Sequence, residues 1–457
     1  MPLHPIAPPL FCGEFPQAFA DLLEEKACEE IFEIHGPRGG GLPKLSGWQW
    51  LMGKVFHVMS GVGGFATHVK QVTGISVSDS ALSQRGASLG WELVAAALRA
   101  ALRPLAGEEE HPDAFYHGLR VLALDGTRFD LRNTAAIKAA AVKNRCAHGD
   151  GEPAFAQLCS VVVVELATHQ PLAAAFGWEN QGELTLARQA CAPGVLPPRS
   201  LLLGDRLFGT PSLVNELLPE LEAGGGGLLF RVRSNLLSRP VEVMADGSRL
   251  VEVDVRDSQT RKLVTTLRLR EIHAEIRVEE TAGAPQAIRL WTSLLDAVAH
   301  PAMELVELYA MRWEHELFYR ELKSHVHGRG NLLDAQTPES AAQEALAMIL
   351  AAALIARQRV AVAGRAGVEI RRVSFAKVLD ATVALCRVLE IGRDLIDDKA
   401  RAEWLRRVLD ELATTALIPK RKPRSCPRGL RQPVQNWPKI KTAASKPLVK
   451  TITLTNP

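Results

Sequence analysis

The hydrophobic rhythm of the chain changes three times. Up to about residue 110, apolar residues recur at helical spacing, as in LSGWQWLMGKVFHVMS and ALSQRGASLGWELVAAALRAAL. Ser78 or Ser80 is placed to cap the second stretch. Between 118 and 205 the pattern turns to strands. GLRVLALDGTRFDL holds an apolar run ending in Asp125, and LCSVVVVELATHQPLAAAFGW reads as two strands joined around Thr168–Pro171. GELTLARQAC reads as a helix with Glu183 in its first turn, and RSLLLGDRLFGT as a buried strand ending in Asp205. Together they predict an α/β unit with an antiparallel edge. A helix at 210–222 and a GGGG turn lead into 228–295, where apolar and polar residues alternate with period 2 and predict a β-rich segment. From 302 the rhythm is helical again, with further helices at 338–363 and 374–416.

Composition adds a few exclusions. The 457 residues are 47% hydrophobic and 23% charged, the balance of a soluble globular protein with more than one domain. The N-terminus lacks a basic segment followed by an apolar run, so no secretory leader is expected. The longest apolar run, ALAMILAAALIA at 345–356, is short for a bilayer and reads as a core or interface helix. A cytoplasmic protein with no membrane partner is expected. The cysteines are scattered and form no CxxC pair, which points away from a zinc site or a disulfide framework. Charge is uneven. The segment from Pro419 onward takes ten of the 54 basic residues and none of the 51 acidic ones, so the rest of the chain is net acidic. A Pro-rich basic arm of this kind, predicted to be extended, suits a polyanion such as DNA, or serves as a solubilising tail.

The stretch YAMRWEHELFYRELK, 309–323, carries an unusual helix face. At about 100° per residue, Tyr309, Arg312, Trp313, Glu316, Arg320 and Lys323 fall within an arc of roughly 100°. Leu308, Met311, Phe318 and Leu322 fall opposite and predict a buried back. Helix-spaced ion pairs of Glu316 with Arg312 and Arg320 would explain such a face without any function. Asp125 and Asp205, however, each close an apolar strand, where α/β sheets gather ligands. Three carboxylates from three separate elements suit a hard divalent cation such as Mg²⁺. The other acidic candidates are Asp130, Glu179, Glu183 and Glu321. Glu183 suits its helix N-terminus, and Glu321 turns away from the basic set.

That stretch resembles the YREK signature of the DDE transposases of bacterial insertion sequences, in the fourth insertion-sequence family. The signature is Tyr, two residues, Arg, three residues, Glu, six residues, Lys, and it is met at Tyr309, Arg312, Glu316 and Lys323. LDGT and GDRLFG are similar to the family's two aspartate motifs, and the β-rich segment before the Glu is a further likeness. The resemblance covers roughly 115–335. It implies an RNase-H-like mixed sheet with flanking helices, interrupted by a β-rich insert and preceded by an all-helical domain. It implies catalytic, metal-binding Asp125, Asp205 and Glu316, with Mg²⁺ or Mn²⁺ as cofactor. It also implies backbone contacts to double-stranded DNA from Tyr309, Arg312, Trp313, Arg320 and Lys323, and a synaptic homodimer in a nucleoid-associated bacterial protein. Arg206 beside Asp205, and Gln84 and Arg85 at the start of a helix that could read DNA, complete the candidate contacts. One departure stands out. Where relatives that cut through a hairpin hold a flipped base with tryptophan, this chain has Ile288, and Trp291 falls on the other strand face.

The expected domains are a helical DNA-binding domain at 1–112, a catalytic domain at 113–225 and 300–363, the insert at 226–299, a helical region at 364–418 and the basic tail. The expected reaction is metal-dependent cleavage at transposon ends followed by joining of the 3′-hydroxyl to target DNA. The alternatives are a non-catalytic DNA-binding descendant and an RNase-H-like nuclease that cuts without joining.

Overall fold

The computed structural model describes residues 14–36, 44–141, 155–278, 286–326, 332–392, 395–419 and 450–454. The chain forms two compact units. The first comprises Met1–Leu203, Pro219–Gly226 and Arg312–Leu417, and the second Gly204–Leu218, Gly227–Met311 and Ile418–Pro457.

Helices α1 (Phe15–Leu22), α2 (Glu25–His35), α3 (Gly47–Ser60), α4 (Phe65–Thr73), α5 (Asp79–Ala87) and α6 (Trp91–Ala101) open the first unit. Strands β1 (Phe115–Tyr116) and β2 (Leu119–Asp130), helix α7 (Ala135–Ala140), strands β3 (Gln157–Glu165) and β4 (Gln170–Trp178) and helix α8 (Glu183–Ala190) follow. Strand β5 (Ser200–Gly209) and helix α9 (Pro211–Ala223) each run from one unit into the other. The second unit holds β6 (Gly227–Val232), β7 (Arg239–Val243), β8 (Arg249–Arg256), β9 (Leu263–Val278), β10 (Gln286–Thr292) and α10 (Ala302–Tyr309). The first then resumes with α11 (Trp313–Glu321), α12 (Pro338–Ala366), α13 (Phe375–Ile391) and α14 (Asp398–Thr415), and β11 (Lys450–Leu454) belongs to the second.

In the first unit, β2, β3 and β4 form an antiparallel meander. The chain entering β5 lies beside β2, where the Arg120 amide donates to the Arg199 carbonyl at 2.7 Å. The run Val161–Val164 in β3 is wholly buried, as β-branched residues in a sheet covered on both faces should be. Helix α8 packs on β3 and β4, α11 on β2, and α12 on β4. Thr337 caps α12 by accepting from the Ser340 amide, Pro338 occupies its first turn, and Gly367 ends it at φ 64°. The Ala-rich sides of α12 let α3, α6, α13 and α14 approach closely, so the N-terminal helices share a core with the rest of the unit. At 29 residues α12 is long and apolar enough to cross a membrane, yet 89% of its apolar window is buried inside the molecule. The expected core role therefore holds. The run at 345–356 offers no free apolar face to a second copy, which removes that argument for a dimer.

Several expected boundaries shift. Asp125 and Asp205 do not close their strands: β2 continues to Asp130 and β5 to Gly209. Burial does change at Asp125, where the buried run Val121–Leu124 gives way to half-exposed residues while the ladder to β3 goes on. The stretch 309–323 is not one helix. A 3₁₀ turn at Ala310–Arg312 separates α10 from α11, and a π turn at Leu322–Val326 follows α11. The turn angle per residue changes at both places, so one wheel cannot describe the whole stretch. The second N-terminal stretch is two helices, α5 capped by Ser78 and α6 entered through Gly90. The region 374–416 also divides, into α13 and α14. Most of the basic tail lies outside the described residues, but Lys450–Leu454 is a strand rather than a free extended arm.

The second unit is a β sheet in the order β6-β10-β9-β8-β7. Strand β9 is 16 residues long. Its first part pairs with β8, from Leu263 to Glu271, and its last part pairs with β11, from Ala274 to Val278. Period-2 alternation is visible in β8, where Val251, Val253 and Val255 are buried between more exposed neighbours.

Candidate active site

The site of the first unit is built where α11 crosses β2. Asp125 faces Val162 across the β2–β3 ladder. Two side chains one helical turn apart fasten α11 to this pair. The Tyr319 hydroxyl donates to the Asp125 carbonyl at 2.6 Å, and His315 Nε2 bonds the Val162 carbonyl at 2.9 Å. Since a carbonyl only accepts, His315 carries its proton on Nε2. Burial pushes the His315 imidazole down to about 3, with Arg312 adding to the effect against the Val162 bond. Burial, with the Asp125 charge, pushes the Tyr319 phenol well above its ordinary value, so it remains a donor.

Fixing this face of α11 turns Arg312 and Glu316 toward the Asp125 side chain. Arg312 Nη1 lies 3.4 Å from Asp125 Oδ2, and Arg312 Nη2 lies 3.3 Å from Glu316 Oε1. The guanidinium bridges two half-buried carboxylates from distant parts of the sequence. Both contacts are longer than a tight charged hydrogen bond. Two hard oxygen donors converging on one cation is the donor set a divalent metal prefers. Among the described residues, no three His, Cys, Asp or Glu side chains are grouped closely enough to hold a metal as they stand.

The flanking residues are also engaged. Gly126 lies against Glu183: a Cβ there would come 2.5 Å from Glu183 Oε2, so the Glu183 side chain would have to shift. Arg128 pairs with Glu179 at 3.2 Å and lies 3.9 Å from Glu183. Lys323 donates to the Arg128 carbonyl at 2.9 Å and sits over the Phe129 ring, and burial lowers its pKa against the pull of Asp130. Glu321 is buried and bonds His169, while Asp130 accepts from the Gln157 side chain.

The remaining predicted residues are placed as follows. Arg320 is exposed and Trp313 half-buried on α11. Tyr309 is buried at the end of α10, in the second unit. Asp205, sixth in β5, belongs to the second unit and accepts from the Leu207 amide at 2.7 Å, with exposed Arg206 beside it. Gln84 is exposed on α5, but Arg85 turns inward to the Leu45 carbonyl and the Phe32 ring. Trp291 is fully buried and donates to Glu271 at 2.8 Å, and Ile288 is buried too. The structure thus brings Asp125, Arg312 and Glu316 together. His315 and Tyr319, which dock α11, were absent from the sequence candidates. Their signal was a His and a Tyr four residues apart on the apolar side of a charged helix.

The model of the "Transposase DDE domain" family matches residues 116–354. The chain belongs to the transposase DDE-domain family. Transposase InsG for insertion sequence element IS4, from Escherichia coli (strain K12), is 26% identical over 364 residues, which cover 79% of this chain and 78% of that relative. Among solved structures, the piggyBac transposase synaptic complex with hairpin DNA matches with a TM-score of 0.44 and 10% identity, over 92% of this chain and 88% of that one. In this DDE-family chain the matched segment contains Asp125, Asp205 and the whole of α11.

The histidines of the first unit predict its pH response. An unfolded imidazole takes up its proton near 6.5. His315 stays neutral in the fold down to about 3, and His57, buried beside Lys54 and His68, down to about 4. Folding therefore expels protons below 6.5, and stability falls by up to ~1.4 kcal/mol per group for each pH unit of acidification. His169 acts oppositely. Its folded pKa is raised, so its contribution is full below 6.5 and is lost as pH rises through the folded value. The melting temperature of this unit is expected to peak near pH 6.5. Melts across pH 4–9 check this, and a flat profile between pH 5 and 6.5 would contradict it.

Proposed function

We propose that the protein cuts phosphodiester bonds at the ends of an insertion sequence and joins the freed 3′-hydroxyl to target DNA. The observation that carries this reading is the convergence of Asp125 and Glu316 on one cation, produced by the docking of α11 on β2. InsG, named as the transposase of an insertion sequence, supports the choice of substrate.

Asp125, Asp205 and Glu316 would hold two Mg²⁺ or Mn²⁺ ions. When bound, such ions lower the pKa of a water and neutralise charge on the attacked phosphate. Asp125 and Glu316 would supply hard oxygens, and the likeness of GDRLFG to the family's second aspartate motif adds Asp205 as the third carboxylate. Arg312, now between two carboxylates, has the planar fork that suits a phosphate. Arg320 and Trp313 flank it on α11 and would steady the DNA backbone. Lys323, held by the Arg128 carbonyl, would add a further cation for the backbone. No covalent link between protein and DNA is needed, so no Ser or Tyr nucleophile is invoked. Two copies, each holding one end, would form the synaptic complex.

Asp205→Ala is expected to lower Mg²⁺-dependent nicking of end-containing DNA by at least ~10³-fold, the loss of several kcal/mol of transition-state stabilisation. Cutting at the parent rate would remove Asp205 from the site. The parent protein's products separate the alternatives. A nuclease yields cut DNA with no joined molecules, and a retired DNA-binding descendant yields neither.

A further inference from the structure

Away from the candidate carboxylates, one buried charge cluster is tied to the same helix. His169 lies in the turn between β3 and β4 with almost no exposure. Its Nδ1 bonds Glu321 Oε2 at 2.6 Å, and its Nε2 bonds Glu314 Oε2 at 2.9 Å. Both carboxylates are on α11, two turns apart on one side. A carboxylate pair needs two donors, and only the imidazolium has them. Glu316 follows Glu314 by two residues and so projects about 200° away around the helix. The backbone at His169 has φ 59°. A turn in this region is served equally well by Asn or Gly, so the turn alone does not call for an imidazole.

We propose that His169 is a positioning residue for the transposition chemistry, clasping Glu314 and Glu321 so as to fix the rotation of α11 and, with it, the direction of Glu316. This rests on Glu316 being a catalytic carboxylate. A side chain about 6 Å from the helix axis moves about 2 Å for a 20° turn of the helix. Tyr319 and His315 fasten α11 to the sheet from one side, and His169 grips it from another.

The other groups facing His169 fit a charged imidazole in this position. From α12, Arg359 lies 3.7 Å from Glu321, and from α11 the neutral His315 is near. From β3, Glu165 accepts the His169 amide through its carbonyl, while its carboxylate takes the Thr168 hydroxyl and Arg120. Burial alone would push His169 down. The Glu321 charge and the bonds to Glu314 and Glu321 outweigh burial and Arg359, and hold it above its ordinary value.

The test compares the full-length parent with His169→Asn, which tolerates the turn, and with Glu314→Gln, which removes one charged partner. Nicking of end DNA in Mg²⁺ is followed from pH 6 to 10, together with hydrogen exchange of the α11 amides. His169→Asn is expected to lower kcat roughly 10- to 100-fold with KM for end DNA unchanged, the cost of ångström-scale misplacement. The parent should lose activity on an alkaline limb that is absent in His169→Asn and shifted to lower pH in Glu314→Gln. A purely structural role would lower the melting temperature and leave kcat and the limb in place, which overturns the proposal. Should His169→Asn fail to fold, Glu314→Gln decides alone, and an unshifted limb overturns the proposal. Should the parent cut no end DNA, the transposase reading fails by itself. The clasp is then judged by exchange, and α11 protection equal to the parent's in either variant refutes it.

Discussion

Glu316→Gln is expected to stop strand cleavage while leaving the fold in place. The substitution keeps the shape of the side chain and an oxygen facing Arg312 Nη2, now 3.3 Å from the carboxylate. What it removes is one of the two negative charges converging on the Arg312 guanidinium. Glu316 is partly exposed and its ion pair is a loose i,i+4 contact, so stability should change by less than about 1 kcal/mol. Cleavage depends on charge that is brought to the phosphate in the transition state, and an amide oxygen, which carries no charge, holds Mg²⁺ more weakly than a carboxylate does. A fall of at least ~10³-fold in Mg²⁺-dependent nicking is therefore expected, with end-DNA binding within a few fold of the parent. Gel-based nicking, a binding titration and a thermal melt on one preparation separate these effects. Cleavage within tenfold of the parent would remove Glu316 from the reaction.

Strands and apolar helices were legible in the sequence because burial writes a period into it. The valines of β3 and the apolar stretch of α12 fell where the pattern put them, while the turn between β3 and β4 lies at 166–169, slightly ahead of Thr168–Pro171, with Gln170 and Pro171 already in β4. The convergence of Asp125 with Glu316 was foreshadowed by motif spacing rather than by rhythm. The misplaced features share a cause, which is that backbone pairing and turn geometry leave little trace in polarity. β2 outlasts its apolar run because its hydrogen bonds to β3 do not need buried side chains. The break at Ala310–Arg312 has no Gly or Pro to mark it. Arg85 looked like a surface reader, but its guanidinium turns inward, over the Phe32 ring and onto the Leu45 carbonyl. His169 gave no signal because its partners, Glu314 and Glu321, are far away in the chain and became neighbours only through the packing of α11 against the β3–β4 turn.

Arg270→Met should be the most destabilising single change in the second unit, at about 3–5 kcal/mol. Arg270 and Glu271 are adjacent on β9, so they face opposite sides of the sheet. Glu271 gathers Ser238, His273, Arg289 and Trp291 on one side. Burial would raise its pKa, but those bonds hold it down at about 2. Arg270, fully buried, ties Asp246, the Ser248 hydroxyl at 2.8 Å and the carbonyls of Leu294 and His300 on the other. Asp246 also accepts from the Ala302 amide at 2.9 Å, which fastens the first residue of α10 to the same cluster. Methionine fills similar space but takes the cation from a half-buried carboxylate and one donor from each of two carbonyls. Removing Asp246 as well, as Asp246→Asn with Arg270→Met, should recover part of the loss, since the unpaired charge is the costly element. Urea unfolding of the two variants, with exchange of the β8 and β9 amides to locate the effect, measures both quantities. A single-variant loss under 1 kcal/mol would mean that the cluster is held together without Arg270. A double variant no better than the single would mean that the carbonyls, rather than Asp246, carry the penalty.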